Sequence, residues 1–367
     1  MLVFNQLINS LTYDRNMGSL KLIFWPVWTS ENPYQILLIQ ELEKLGVQIE
    51  EDTRTSSLLG RHKPDILHLH WLHPYFQASS SLESLFRLFK FIAKLLLFRL
   101  IGIKIVWTAH NLKNHENFNP LSDRICTSLV ILLSHAIIAH CHSAKDEIAS
   151  KFYLPSKDKI FVIPHGNYID FYQNSINKAV ARKQLHISNS TLLLLFLGWI
   201  RPYKGVLEMI ESFGQLHQNG LQLLIAGKLS ENEFGESVQK KIAEQKNIKL
   251  MAGFVPEDQI QVYMNACDVV VFPYRDILTS GAVLLAMSFG RACIAPRKSC
   301  IGEVLDESGA FLYDPDVESG LLEAMNNAIK MKAALEDMGD RNRELAEKYN
   351  WDHIAKMTFD VYQQCLS

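Results

Sequence analysis

Two short strings concentrate the residue types that handle phosphate. The first is Leu197-Gly-Trp-Ile-Arg-Pro-Tyr-Lys-Gly205, a strand end followed by a turn and an amphipathic stretch over 206–215. Gly198 lets the backbone approach a ligand closely, Arg201 presents a planar fork to phosphate oxygens, and Lys204 adds a point charge where the helix starts. Together they spell an anion site at the carboxyl end of a strand, against the plain alternative of two solvated loop charges. The second string runs from Phe272 to Gly290. In it Thr279, Ser280 and Gly281 stand just before an apolar helical run, where free backbone amides and the helix dipole favour a diphosphate. Taken alone, that pattern equally fits an ordinary N-cap by Thr279 or Ser280.

Histidines mark a third place. His68, His70 and His73 surround one strand end, and His110 and His115 follow another, in Trp107-Thr-Ala-His-Asn-Leu-Lys-Asn-His-Glu116. A His-x-His pair on one strand face is also a ligand arrangement of metal-dependent hydrolases. That reading leaves the Arg201–Lys204 loop idle, and no later acidic ligand has convincing spacing. For His68 a packed, hydrogen-bonded core position is the better account. Asp314-Pro-Asp316 reads as a turn set by Pro315 rather than as a metal-ligand pair. No metal ligand set is assigned.

The elements that must position these groups alternate between strand and helix along all 367 residues, the pattern of parallel sheets with helices on both faces. Strands are expected at 21–25, 65–70, 104–108, 136–139 and 160–163, then at 192–197, 221–226, 248–251, 269–272 and 292–295. The fold class is therefore α/β, with two doubly wound domains and ligands gathered beyond the strands' carboxyl ends. Pro164 and Gly166 punctuate the crossing, so the first domain is assigned to 1–166 and the second to 167–348. Trp351, Ile354, Met357, Val361 and Tyr362 give the last segment, 349–367, one apolar helical face that docks back across the junction.

Composition narrows the function. A hydrophobic content of 48%, charged content of 21% and net charge of −2 describe a packed chain without the basic footprint of a nucleic-acid binder. Six cysteines without paired spacing, most in apolar runs, read as free thiols in a reducing cytoplasm. Asn5, Asn9, Asp14 and Arg15 break any signal-peptide pattern, and Met17 is an alternative start.

In the order of its motifs the chain resembles the retaining GT-B fold glycosyltransferases, and within them family four, the group 1 enzymes of bacterial polysaccharide synthesis. The resemblance runs from Thr108-Ala-His110, through Pro164-His-Gly-Asn167 and the Gly198 to Gly205 loop, to Ala286-Met-Ser-Phe-Gly290 and the Trp351 helix. It implies two Rossmann-like domains with a cleft between them, a first domain for the acceptor and a second for a nucleotide diphosphate sugar. Arg201 and Lys204 would hold the donor diphosphate, Gly253, Phe254 and Val255 the nucleobase, and His110 would lie against the donor sugar. Asn32, Tyr34, His70, Trp71, His73 and His115 fall to the acceptor side. The resemblance departs where the family carries two glutamates eight residues apart, positions matched here by Ile277 and Leu285; Asp276 and Glu303 are the nearest carboxylates. The chain thus reads as a divergent branch lacking that pair.

What the resemblance implies is hexose transfer with retention, UDP-glucose being the favoured donor and a glycan or lipid-linked saccharide of exopolysaccharide assembly the acceptor, without cofactor or metal. A nucleotide-sugar epimerase of the same fold and a non-catalytic sugar-binding protein are the alternatives. Residues 82–101 are the most apolar long segment, yet Arg87, Lys90 and Lys94 share one helical stripe within it. Such a segment suits peripheral contact with the anionic inner face of the plasma membrane, or else a buried crossover helix whose bases reach solvent.

Overall fold

The computed structural model describes residues 20–27, 33–50, 63–78, 80–112 and 120–367. Asn32 and His115, both assigned to the acceptor side, lie outside the described residues, as does Met17.

Two six-stranded parallel sheets form. The first contains β1 (Lys21–Trp25), β2 (Gln48–Ile49), β3 (Ile66–Leu69), β4 (Lys104–Thr108), β5 (Ala136–Ala139) and β6 (Ile160–Val162), in the order β2-β1-β3-β4-β5-β6. The second contains β7 (Leu192–Leu197), β8 (Leu221–Gly227), β9 (Ile248–Ala252), β10 (Val269–Val271), β11 (Ala292–Pro296) and β12 (Ala310–Tyr313), in the order β12-β11-β10-β7-β8-β9. Strands covered on both faces must be apolar throughout, and Leu192–Leu197, a run of five leucines and one phenylalanine, meets that demand. The expected strands form with their ends shifted by no more than one residue; β2, only two residues long, has no sequence signal of its own.

Helices α1 (Pro33–Lys44), α2 (Ser81–Leu100), α3 (Pro120–Leu133) and α4 (His142–Lys151) cover the first sheet. Helices α5 (Lys178–Gln184), α6 (Val206–Gly214), α7 (Glu233–Ala243), α8 (Ile260–Ala266), α9 (Gly281–Ser288), α10 (Ser299–Val304), α11 (Gly320–Lys330) and α12 (Leu335–Glu347) surround the second. The last helix, α13 (Trp351–Leu366), returns to the first domain, where Trp351, Ile354, Phe359 and Tyr362 are buried with Tyr34, Leu38 and Leu42 of α1.

Each sheet reverses its order at one place, between β1 and β3 in the first and between β7 and β10 in the second. Loops leaving neighbouring strands diverge there to opposite faces and leave a crevice beyond the carboxyl ends.

The chain crosses between domains twice, and the crossings are fastened to each other. The Asn167 amide donates to Tyr349 O at 2.8 Å, the Asn167 side chain donates to Ala346 O at 2.8 Å, and the Trp351 indole donates to Asn167 O at 2.6 Å. A side chain on Gly166 would collide with that indole, with a Cβ only 2.2 Å from it, so only glycine fits.

A third tie departs from the expectation of six free thiols. Cys141, the N-cap of α4, is disulfide-bonded to Cys300 in α10, across 159 residues of sequence. Spacing along the chain gives no hint of it, because the topology alone brings β5 and α10 together. Glu303 of α10 adds to the tie by accepting the backbone N–H of His142 at 3.0 Å and of Ser143 at 2.6 Å, as well as the Ser143 hydroxyl. Burial raises its carboxyl, yet these hydrogen bonds outweigh burial and hold it below the usual carboxylate range.

Under denaturing, non-reducing conditions an alkylating reagent is expected to reach Cys126, Cys267, Cys293 and Cys365 only, and all six cysteines after reduction. Intact-mass measurement showing six adducts before reduction would rule the bridge out. Replacing Cys300 by Ser is expected to lower stability by about 2–4 kcal/mol in urea unfolding.

Candidate functional site

The crevice at the β7–β10 reversal is where the two phosphate-handling strings meet. Gly205 closes the turn with φ +67°, and a Cβ there would fall 1.8 Å from the Pro273 carbonyl oxygen. Glycine at this point lets the loop after β7 press directly on the segment after β10. The contact carries Lys204 to Tyr274: its ammonium donates to the Tyr274 hydroxyl at 3.3 Å and stands 4.8 Å from the ring centre. Burial pushes the Lys204 ammonium below its ordinary pKa, the Tyr203 hydroxyl pulls it back up and Arg201 lowers it further. Among the described residues it has no carboxylate partner. The Ser280 side chain acts on the Tyr274 phenol, lowering its pKa against the larger effect of burial, so cation, phenol and helix start adjoin one another.

Ser280 occupies the N-cap position of α9 yet makes no side-chain cap hydrogen bond. The Gly281 and Ala282 amides therefore keep their donors at the positive end of the dipole, while the Val283 amide bonds Ser280 O at 3.3 Å. Ile277 and Leu285, at the positions matched to the family's two glutamates, are buried in the second domain's core. The Arg201 guanidinium lies over the Trp199 ring at 4.3 Å, with the Lys228 ammonium 5.4 Å from the same ring. Farther along the sheet edge a cavity of about 590 Å³ is lined by Lys228, Glu231, Asn232, Glu236, Gly253 and Phe254, and Phe254 is 73% exposed at its rim.

On the facing side, the carboxyl ends of the first sheet hold a run of buried imidazoles. His140 Nδ1 lies 2.9 Å from Ile163 O, a pure acceptor, so it carries the proton. His140 Nε2 then accepts from His110 Nδ1 at 3.4 Å, and His110 Nε2 accepts from His70 Nδ1 at 3.1 Å. This network assigns one tautomer to each neutral ring. It leaves His70 Nε2 as a buried lone pair without a partner among the described residues. Trp71 stacks on His110 with ring centres 4.2 Å apart, and Tyr34 meets His110 edge-on at 4.8 Å. His68 is bound at both ring nitrogens, by the Tyr362 and Thr108 hydroxyls at 2.7 Å each, so it is a core residue.

Burial depresses all of these imidazoles. His68 falls to about 3 and His140 to about 4, His70 and His110 fall well below the ordinary value, and His165 falls to about 3. His165 sits 5.5 Å from His140 between ring centres, and a Cβ on Gly281 would come 3.2 Å from its Nε2. The imidazole run of the first domain therefore reaches the start of α9 in the second. A small cavity lined by His140, His165, Thr279, Ser280 and Cys300 lies at that junction.

The structure thus brings His110, Tyr34, His70 and Trp71 into one cluster, and Lys204, Ser280 and Gly281 into another that faces it, with His165 bridging. Arg201, on the Trp199 ring, and Phe254, on the pocket rim, lie along the second sheet's edge. Val255 and Asp276 are partly buried nearby, and His73 is half-buried beyond β3. Glu303 is spent on the N-terminus of α4. Sequence reasoning passes over Trp199, Tyr274, His140 and His165. Trp199 lies inside the first string and His165 inside the Pro164 to Asn167 crossing, but nothing in spacing assigns either to the cleft. Among the described residues no three His, Cys, Asp or Glu side chains are grouped to hold a metal ion.

Because the unfolded chain binds protons at imidazoles with ordinary pKa near 6.5, the depressed values contribute stability that is complete above that pH and lost as pH falls toward 4. Each such imidazole adds up to about 1.4 kcal/mol per pH unit to the slope. Urea midpoints are expected to drop steeply between about pH 7 and 5, where exposed carboxylates stay ionised; a flat profile there contradicts buried neutral rings.

Comparison with known proteins agrees with this architecture. Residues 191–331 match the family model for glycosyl transferases group 1. A GDP-mannose:glycolipid 4-beta-D-mannosyltransferase of Xanthomonas campestris pv. campestris is 26% identical over 343 residues, covering 91% of this chain and 89% of that protein. A lipopolysaccharide 1,2-N-acetylglucosaminetransferase of Salmonella typhimurium is 27% identical over 54% of each chain. Among solved structures, Anabaena HepE in complex with UDP-glucose superposes with a TM-score of 0.72 at 15% identity, over 94% of this chain and 99% of that one. The protein is a glycosyltransferase of the GT-B fold whose second domain carries the group 1 sequence pattern.

Proposed function

We propose that the chain moves a hexose from a nucleotide diphosphate sugar to a lipid-linked saccharide of exopolysaccharide assembly, with the donor diphosphate between Arg201, Lys204 and the amides that open α9. One observation carries this reading: Lys204, Tyr274 and the uncapped Ser280 converge at the β7–β10 reversal and face the His110, His140 and His165 run. Charge growing on the departing diphosphate would meet a fixed ammonium and fixed dipoles, an arrangement that contributes several kcal/mol in a water-poor cleft. No divalent ion is needed in this scheme.

The pocket bounded by Gly253 and Phe254 is assigned to the nucleobase. Glu231 and Glu236 line it without cation partners among the described residues. Their carboxylates suit a base edge with two adjacent donors, which guanine presents through N1–H and its 2-amino group. That chemistry, together with the name of the Xanthomonas relative, favours a guanosine diphosphate sugar carrying mannose over the UDP-glucose suggested by motif resemblance.

For the acceptor proton we favour transfer to a leaving-group oxygen on the attacked face, with retention, since the clustered imidazoles are weak bases. Inversion is the second reading. It is favoured by the beta linkage in the name of the Xanthomonas relative and by Ile277 and Leu285 standing where the retaining family has carboxylates.

Replacing Lys204 or Arg201 by Ala is expected to lower kcat roughly 10²–10³-fold with an unchanged circular dichroism spectrum, and a chelator is expected to leave the wild-type rate intact. Full activity in Lys204→Ala would remove the diphosphate assignment. Proton NMR of the first product formed distinguishes the two stereochemical readings: an anomer matching the donor's supports retention, and the opposite anomer establishes inversion.

A further inference from the structure

The first sheet has its own order reversal, between β1 and β3, and a cavity of about 520 Å³ opens beside the end of β1. Its walls are Trp25 and Tyr75 on one side and Arg87, Lys90, Phe91 and Lys94 of α2 on the other. Buried Gln35 donates to Pro26 O at 2.8 Å, which fixes the exit of β1 at the cavity.

Two of the three cations inside lack a carboxylate partner among the described residues. Arg87 is spent, paired with Glu83 at 2.6 Å and bonded to Gln77 O at 2.9 Å. Lys90 and Lys94 have no carboxylate partner among the described residues, and their ammonium groups rest instead near the Phe86 and Trp25 rings, at 4.2 Å and 5.9 Å. Trp25 is 4% exposed, and its indole N–H has no acceptor among the described residues. A buried donor without a partner beside two unpaired cations calls for an anion.

The surroundings define the rest of the ligand. Only one face of α2, with Ser84, Leu88, Phe91, Leu95 and Phe98, packs inward. Leu82, Phe89 and Leu100 are 83%, 70% and 84% exposed, and Leu121 and Leu132 of the neighbouring α3 are exposed as well. A soluble anion has no use for such an apron, whereas an amphiphile with an anionic head and a long apolar tail uses both parts.

We propose that this cavity binds the diphosphate of the lipid-linked acceptor, the two phosphates facing Lys90, Lys94 and the Trp25 indole while the lipid runs out over the exposed leucines and phenylalanines of α2. A diphosphate diester carries two negative charges, matching the two unpaired ammonium groups, whereas the headgroup phosphate of a bulk phospholipid carries one. The assignment rests on the acceptor class proposed above and adds its binding site.

The test is co-sedimentation of the full chain with phosphatidylcholine vesicles doped either with a prenyl diphosphate sugar or with phosphatidylglycerol at equal total charge. Wild type is expected to bind the diphosphate vesicles at least about tenfold more tightly, and Lys90→Gln/Lys94→Gln to lose that preference. Trp25→Phe, which removes the indole donor but keeps the ring, is expected to reduce it in part. Equal binding of wild type to both vesicle types would overturn the proposal, as would a preference kept by a double variant whose melting temperature matches wild type. Donor hydrolysis by the wild-type chain is measured separately: its absence counts against the transferase reading and leaves the vesicle result standing.

Discussion

The contact between Gly205 and the Pro273 carbonyl is the constraint on which the candidate site depends. It is a steric fact about two backbones: a single methyl group at position 205 would drive the loop after β7 away from the segment after β10. Without that approach Lys204 would not reach Tyr274, and the ammonium, the phenol and Ser280 would not lie side by side. An exposed ammonium interacts weakly through water, and one held against a phenol and a helix start in a desolvated crevice interacts far more strongly. The sheet order supplies the crevice, and the glycine supplies the distance.

The imidazole run works by a different economy of protons. Every ring from His70 to His140 must be neutral for its hydrogen bonds to alternate between donor and acceptor, and burial enforces neutrality. One carbonyl, Ile163 O, then sets the tautomer of each ring in series. Such a chain is sharply oriented and offers little basicity, and it forms a shaped polar wall. Trp71 and Tyr34 close on His110 from face and edge and restrict which part of a ligand meets it.

Much of this was legible in the residues because parallel strands buried on both faces leave unbroken apolar runs between turn residues. The Gly198 to Gly205 string announces its chemistry for the same local reason: strand, turn, cations and helix are contiguous. Legibility fails where a partner is distant in sequence. Cys141 and Cys300, His140 beside His165, and Tyr274 beneath Lys204 are paired by topology alone. Glu303 shows the converse error, a carboxylate near the site in sequence that the fold turns toward the amides of His142 and Ser143. Amphipathic residues 82–101 permitted both a surface and a buried reading; the helix packs one side inward and leaves the other open, so it is not fully buried.

The disulfide has a mechanical consequence. Cys141 follows His140, whose ring is 5.5 Å from that of His165, and Gly166 and Asn167 are where the chain crosses between lobes. Covalent tie and peptide crossing therefore lie almost at one point and act as a pin with a very short lever arm. A pin so placed resists sliding and separation of the lobes while costing little against rotation, in the manner of scissors. The rims that carry Phe254 and α2 lie away from that point, beyond the reach of its covalent restraint.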